Sequence, residues 1–470
     1  MQVHGAQTIA IRALSMLLSL LLAASYIYPL QASPAATLES LPTFDSPSRI
    51  GDRVFQTDTF RQLDETHFFG QEPEFDHSSG CLHDATACPV RTLLSSDAGA
   101  NWAVGAPLPT VSPFNVATGP PDARTARSLG YGWTTVEPPP GVDGSTNVSM
   151  LRASNRTVQA SLASNGSVVF EEQAVRVEYN YSGLRGGMLT PPGNVRAPSG
   201  TSCGHALTLV DHSLLLGANV KLGEPGHCPS HICLSVVILR SYDKGLHFHF
   251  VGLAINASDH PESYEGAGEH DLALLGDGRV LLVSRMNGES AGMDGQPGSG
   301  VDGTGYLPYY KAFSSNEGVT WTRAVPMNKM GCVRPRLLQL GVPSTVGTDA
   351  GRHGPLLLEG GRNGILNTSD VNLWVNSAGD GESWTHYSIS YRHNLLIGDN
   401  ATERFTQAVN ETYPLTVENH GYNSLMEVGS SSALLIYQKF TCVGKGRPLP
   451  SCTSYSSDGV SLGFAMTVHF

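Results

Sequence analysis

Four stretches of this chain repeat one arrangement of apolar and polar positions. They are GHALTLVDHSLLLGAN (204–219), GEHDLALLGDGRVLLVSR (268–285), RPRLLQLG with GPLLLEGGR (334–341 and 354–362) and GYNSLMEVGSSSALLIYQK (421–439). Each reads as an apolar run, a turn and a second apolar run, which predicts two antiparallel strands. The sharpest turn is Gly276-Asp277-Gly278. Aligning the hairpins on Leu207, Leu272, Leu337 and Leu425 brings Gly204, Glu269, Arg334 and Tyr422 to one equivalent position three residues earlier. The second strands of two hairpins end in Arg285 and Arg362. Glu269 and Arg285 each lie eight residues from Asp277, so antiparallel pairing sets them opposite each other at the open end.

A second pattern recurs between the hairpins. SSDAGANW (95–102), SYDKGLHF (241–248) and SSNEGVTW (314–321) share the form Ser-x-Asp/Asn-x-Gly-x-x-aromatic. NSAGDGESW (376–384) keeps Ser377, Gly379 and Gly381 in the same register, and SYSSDG (454–459) reads as a decayed fifth copy. An Asp or Asn side chain accepts backbone N–H bonds inside a tight turn, Gly supplies positive φ, and the aromatic ring re-enters the core. Recurrence at roughly 60–70 residues with about four strands per unit predicts a β-propeller. A β-sandwich is the alternative. The first strand of a propeller blade lines the central channel, so the four aligned positions converge at one end of it.

Composition supports the all-β reading. Hydrophobic residues make up 40% and charged residues 15%, with 52 Gly and 29 Pro. The net charge of −12 argues against nucleic acid and an anionic membrane surface as main partners.

The turn motif resembles the Asp-box of the bacterial-neuraminidase repeat, and residues 200–440 resemble the exo-sialidases. That family is typically a six-bladed propeller, with three arginines on the substrate carboxylate, a Tyr nucleophile, a Glu beside it and an Asp acid/base. GEHDLALLGDGRVLLVSR is similar to the segment holding the Glu and one Arg, which implies roles for Glu269 and Arg285. GYNSLMEV is similar to the Tyr segment, which implies Tyr422 as nucleophile. GGRNGILNTSDVNLWVNSAGDGESW resembles the segment in which Arg362 would be another clamp residue, although its strand is shifted by one. Arg334 faces the channel by register but matches no family position; it either replaces a missing arginine or pairs with Glu269. The first family arginine sits in Phe-Arg-Ile-Pro; here FRQL (60–63) offers Arg61 without the proline. Asp84 stands before the first box, where the acid/base Asp is expected. The implied activity is hydrolysis of terminal sialic acids from glycoproteins, glycolipids or oligosaccharides, with retention and with no metal or cofactor. Arg suits a carboxylate because its fork binds both oxygens, and a neutral Tyr approaches that anion without charge repulsion. A non-catalytic propeller that binds glycans or proteins is the rival reading, and trans-sialylation is a third.

The first residues read as a targeting segment: Arg12 precedes the apolar run ALSMLLSLLLAASYIYPL, with small residues at 23–25 and 32–33. The expected organisation is a signal peptide over 1–32, or an uncleaved membrane anchor, followed by the propeller over 33–470. Eight cysteines include the close pairs Cys81/Cys88, Cys228/Cys233 and Cys442/Cys452, suited to loop-closing disulfides in an oxidising compartment. Zinc is the alternative, but no two cysteines show CxxC spacing. Sequons cluster at Asn147, Asn155, Asn165 and Asn180. The Ser/Asn/Gly/Pro-rich stretch 103–200 containing them reads as a glycosylated surface insertion on a secreted or lumenal protein.

Overall fold

In the computed structural model, the described residues are 41–52, 60–64, 66–73, 90–105, 116–118, 125–128, 150–181, 184, 206–221, 234–287, 307–331, 333–341, 354–363, 369–398, 400, 403–405, 423–442 and 459–470. They are mostly β. The strands are β1 (Thr43–Phe44), β2 (Ser48–Asp52), β3 (Arg61–Gln62), β4 (Phe68–Pro73), β5 (Val90–Ser95), β6 (Ala103–Val104), β7 (Val116–Thr118), β8 (Thr125–Ser128), β9 (Met150–Leu162), β10 (Val168–Asn180), β11 (Leu207–Thr208), β12 (Leu214–Lys221), β13 (Leu234–Ser241), β14 (His247–Ile255), β15 (Ala267–Leu274), β16 (Val280–Met286), β17 (Tyr310–Ser314), β18 (Val325–Pro326), β19 (Val333–Gln339), β20 (Leu356–Asn363), β21 (Ser369–Asn376), β22 (Thr385–Ser388), β23 (Ser424–Glu427), β24 (Ser432–Cys442) and β25 (Gly459–His469). One helix of two turns, α1 (Ile389–Leu396), follows β22.

The strands form five sheets among the described residues. Three are four-stranded meanders in chain order: β3 to β6, β15 to β18 and β19 to β22. An eight-stranded sheet joins β11–β14 to β7–β10 through a parallel pairing of β10 with β14. The last sheet runs β1-β25-β24-β23, with β2 also on β25, so the first described strands pair with the last.

All four sequence hairpins form the first two strands of a sheet. The aligned leucines face leucines across the ladder: Leu207 with Leu215, Leu272 with Leu282, Leu337 with Leu358 and Leu425 with Leu435. The first strands of successive sheets are neighbours, with β11 beside β15, β15 beside β19, β19 beside β23 and β23 beside β3. Apolar residues of both sheet faces fill the seams; one cluster sets Leu281 and Val283 against Leu337, Leu356 and Trp374 of the following sheet.

The Asp-boxes form the turns between third and fourth strands. In the third box, Ser314 Oγ donates to Asn316 Oδ1 (3.1 Å) and accepts from Gly318 N (2.8 Å), Asn316 Oδ1 accepts from Thr320 N (2.9 Å), and Trp321 Nε1 donates to Gly318 O (2.9 Å). The boxes at Ser95 and Ser241 repeat the Ser–Asp and Ser–Gly bonds. In the fourth box, Asn376 rather than Ser377 takes the Ser role: its Oδ1 accepts from Gly381 N (3.2 Å) and its Nδ2 donates to Asp380 Oδ1 (2.9 Å). An amide reaches further than a hydroxyl and spans the longer turn. Three of the box glycines also pack on the preceding sheet. A Cβ at Gly318 (φ +88) would lie 3.1 Å from Ile238, at Gly381 3.1 Å from Leu281, and at Gly99 2.5 Å from Leu434. The boxes thus staple neighbouring sheets at the end opposite Glu269 and Arg285.

The stretch 103–200 contributes more than surface loop. Its β9 and β10 are 13 residues each and pair along their whole length, with β8 and β7 added at the edge. The β-branched and aromatic residues of VVFEEQAVRVEYN suit an extended strand, although polar composition dominates the region.

Candidate active site at the strand ends

The hairpin of β15 and β16 bends at a bulge between Ala267 and His270, after which His270 pairs with Ser284. The bulge sets Glu269 against Arg285. Arg285 Nη1 donates to Glu269 Oε2 at 2.7 Å, and the two side chains are 15% and 10% exposed. The same Oε2 accepts the backbone N–H of Arg334 from the next sheet at 3.0 Å. Arg334 holds a left-handed φ of 41° and is buried, so a strained backbone delivers that N–H to the carboxylate. Arg334 therefore bonds to Glu269 through its main chain.

A second carboxylate reaches the same guanidinium. Glu265 Oε2 lies 3.6 Å from Arg285 Nη2 and accepts a hydrogen bond from Asn287 Nδ2. Its loop is pinned, since Leu234 N donates to Glu265 O (2.7 Å) and Tyr264 N donates to Asn287 O (2.7 Å). Further out on this loop, Glu262 Oε1 accepts from the Tyr310 hydroxyl at 2.8 Å and lies 3.2 Å from His260 Nδ1. Burial pulls the Glu262 carboxyl up, but bonds from its own backbone N–H, Tyr310 and His260 outweigh it and leave it below its ordinary value.

Deeper in the fold, polar side chains join three pairs of adjacent sheets. Asn219 Nδ2 donates to Ala267 O (2.8 Å). Asp271 Oδ2 accepts from Leu337 N (2.9 Å). Glu359 Oε1 accepts from Asn423 Nδ2. Glu359 is wholly buried and pairs across the ladder with Arg336. Burial pushes its carboxyl from 4.5 up to about 8, against the lowering effects of Asn423 and Arg336. Burial likewise drives the His270 imidazole below its ordinary value.

The remaining sequence candidates divide. Arg61 is buried on β3, beside β23, and its Nη1 donates to Phe60 O (2.6 Å). Arg362 lies on β20 opposite Asp370 of β21, and the Leu337–Leu358 register puts Gly361 where the earlier hairpin has Arg285. The one-residue shift in the sequence is thus present in the ladder. Tyr422 and Asp84 fall outside the described residues, as do the cysteines apart from Cys442 at the end of β24. Glu265, Asn287 and Glu359 escaped the sequence reading. Only Glu359 carried a signal: Leu216, Val283 and Ile436 occupy its register position in the sister hairpins, so a Glu there breaks the pattern. Among the described residues, no group of three or more His, Cys, Asp or Glu is arranged to hold a metal, and no helix is long and apolar enough to cross a membrane.

No family profile matches the chain, and no curated protein matches it. Solved structures similar to it include a protein of unknown function from Dyadobacter fermentans (12% identity, 90% of this chain and 97% of that one, TM-score 0.48). The Hadza microbial sialidase Hz136 is 14% identical over 89% of this chain and 65% of its own length (TM-score 0.43). The α-L-arabinofuranosidase Arb93A of Fusarium graminearum is 12% identical over 90% of this chain and 96% of its own (TM-score 0.43).

Proposed function

We propose that the protein is a retaining exo-α-sialidase built on a six-bladed β-propeller. The blades would be β3–β6, β7–β10, β11–β14, β15–β18, β19–β22 and the mixed sheet of β23, β24, β25 and β1. Support for the five groups other than β7–β10 comes from the side-by-side first strands, the box staples between sheets and the pairing of β1 with β25; β7–β10 is counted as the sixth although its β10 pairs with β14.

The observation that carries the functional reading is the 2.7 Å Arg285–Glu269 pair at repeat-matched strand ends, with the next sheet's main chain on the same carboxylate. In the proposed reaction Arg285, Arg362 and Arg61 hold the substrate carboxylate. The Tyr422 oxygen attacks the anomeric carbon while Glu269 takes the phenolic proton. Asp84 gives its proton to the departing glycosidic oxygen. Water then attacks the anomeric carbon, giving a proton to Asp84, while the bond to the tyrosyl oxygen breaks and Glu269 returns its proton to that oxygen. The substrates would be sialylated glycans, and the chain would be a secreted glycoprotein or one anchored through its first 32 residues.

Purified protein should release fluorophore from a methylumbelliferyl α-sialoside and leave the corresponding α-L-arabinofuranoside intact. Binding of sialosides without release would favour the glycan-binding propeller instead.

A further inference from the structure

Arg285 carries two carboxylates of unequal grip. Glu269 is the tight partner, at hydrogen-bond distance, less exposed, and holding a second donor in the Arg334 N–H. Glu265 is the loose one. Its oxygen lies 3.6 Å from Nη2, beyond a good hydrogen bond, and its side chain is 23% exposed. Its own firm bond goes to Asn287. The Nη2 edge of the guanidinium thus faces Glu265, the looser and more exposed of the two carboxylates.

We propose that Glu265 occupies the anion-binding edge of Arg285 in the resting protein, and that a carboxylate-bearing sugar binds by displacing it electrostatically from Nη2. Glu265 is thus a specificity-determining residue: it sets how strongly the fork takes a carboxylate and leaves recognition of the rest of the sugar untouched. This rests on the reading of Arg285 as a carboxylate clamp. Its backbone supports such a role. Leu234 N donates to Glu265 O at 2.7 Å and Leu234 bridges to Gly266, so the main chain that carries the carboxylate is anchored to the neighbouring strand. Exchange at Nη2 would involve the side chain alone.

The test is calorimetric titration of the full chain and of Glu265→Gln with free N-acetylneuraminic acid and with its methyl ester. The Gln oxygen can still accept from Asn287 Nδ2, so the loop keeps its bond and loses only its charge. Removing an ion pair of this partly exposed kind should tighten acid binding about fivefold and leave the uncharged ester unchanged. Glu262→Gln, which removes a charge from the same loop with no contact to Arg285 among the described bonds, should not reproduce the gain. Unchanged or weaker acid binding by Glu265→Gln overturns the proposal, as does an equal gain from Glu262→Gln. Sialoside hydrolysis, assayed on the same samples, separates the two ideas. Hydrolysis without the affinity gain leaves the sialidase standing and removes Glu265 from this role. The gain without hydrolysis does the reverse. If neither protein binds the acid, the fork is not a carboxylate site and both fail.

Discussion

Glu359→Gln should stabilise the protein above neutral pH, because the native carboxyl is held protonated at a cost. Its burial raises it from 4.5 to about 8. A folded-state value above the unfolded one leaves stability intact below about 4.5 and removes it as pH rises toward 8. At roughly 1.4 kcal/mol per pH unit, the penalty at pH 7 is about 3 kcal/mol, and about 5 kcal/mol once pH exceeds 8. Water penetration and local relaxation reduce both, so about 2 kcal/mol at pH 8 is the smallest effect consistent with a wholly buried group. Gln cannot titrate, yet it offers Asn423 Nδ2 the same acceptor. Urea unfolding of both proteins at several pH values between 5 and 8.5 gives the difference directly, and effects from other titrating groups cancel in the comparison. The two stabilities should nearly coincide at pH 5 and diverge in favour of the variant as pH rises. The opposite arrangement, an ionised Glu359 paired with Arg336, predicts a variant weaker by about 3–5 kcal/mol throughout, because a buried cation would lose its carboxylate. That result would refute the protonated state.

Two more predictions concern the scaffold. Gly318→Ala and Gly278→Ala both place a side chain at positive φ, +88° and +85°, but only the first meets a neighbour, Ile238 at 3.1 Å, while nothing lies within 4 Å of the second. The backbone term of about 1 kcal/mol is common to both, so urea midpoints should show Gly318→Ala losing about 1–2 kcal/mol more; equal losses would mean the box glycine does not pack on the preceding sheet. His393, bonded to Tyr437 and to Glu403 O, is pushed by burial from 6.5 down to about 4. A depressed base loses stability as pH falls from 6.5 toward 4, so wild type should lose up to about 3 kcal/mol more than His393→Gln over that interval, and parallel acid limbs would contradict it.

The hairpins and their mutual register were legible in the sequence because leucine periodicity and Gly-containing turns are local signals. That is why Glu269 and Arg285 meet where counting from Asp277 places them. The turn boxes were legible for the same reason, except that Asn376 displaced Ser377 when the fourth turn lengthened. Pairing of β1 and β2 with β25 left no local trace, since it joins residues more than 400 positions apart. The long β9–β10 hairpin was hidden by polar composition, which reports solvent contact rather than pairing. Glu265 was missed because it lies in a loop before β15, and only the folded loop carries it to Arg285.

The most direct measurement of the central claim is the rate at which Tyr422→Phe releases fluorophore from an α-sialoside, set beside wild type. Removing one oxygen from the proposed nucleophile leaves the arginines in place. Wild type should turn the substrate over, and Tyr422→Phe should lose at least about a thousandfold in kcat while still binding sialic acid. Arg285→Lys, which keeps the charge and loses the fork, should weaken binding along with turnover. A wild-type protein that binds sialosides and never cleaves them, with Tyr422→Phe indistinguishable from it, would contradict the enzyme and leave a glycan-binding propeller.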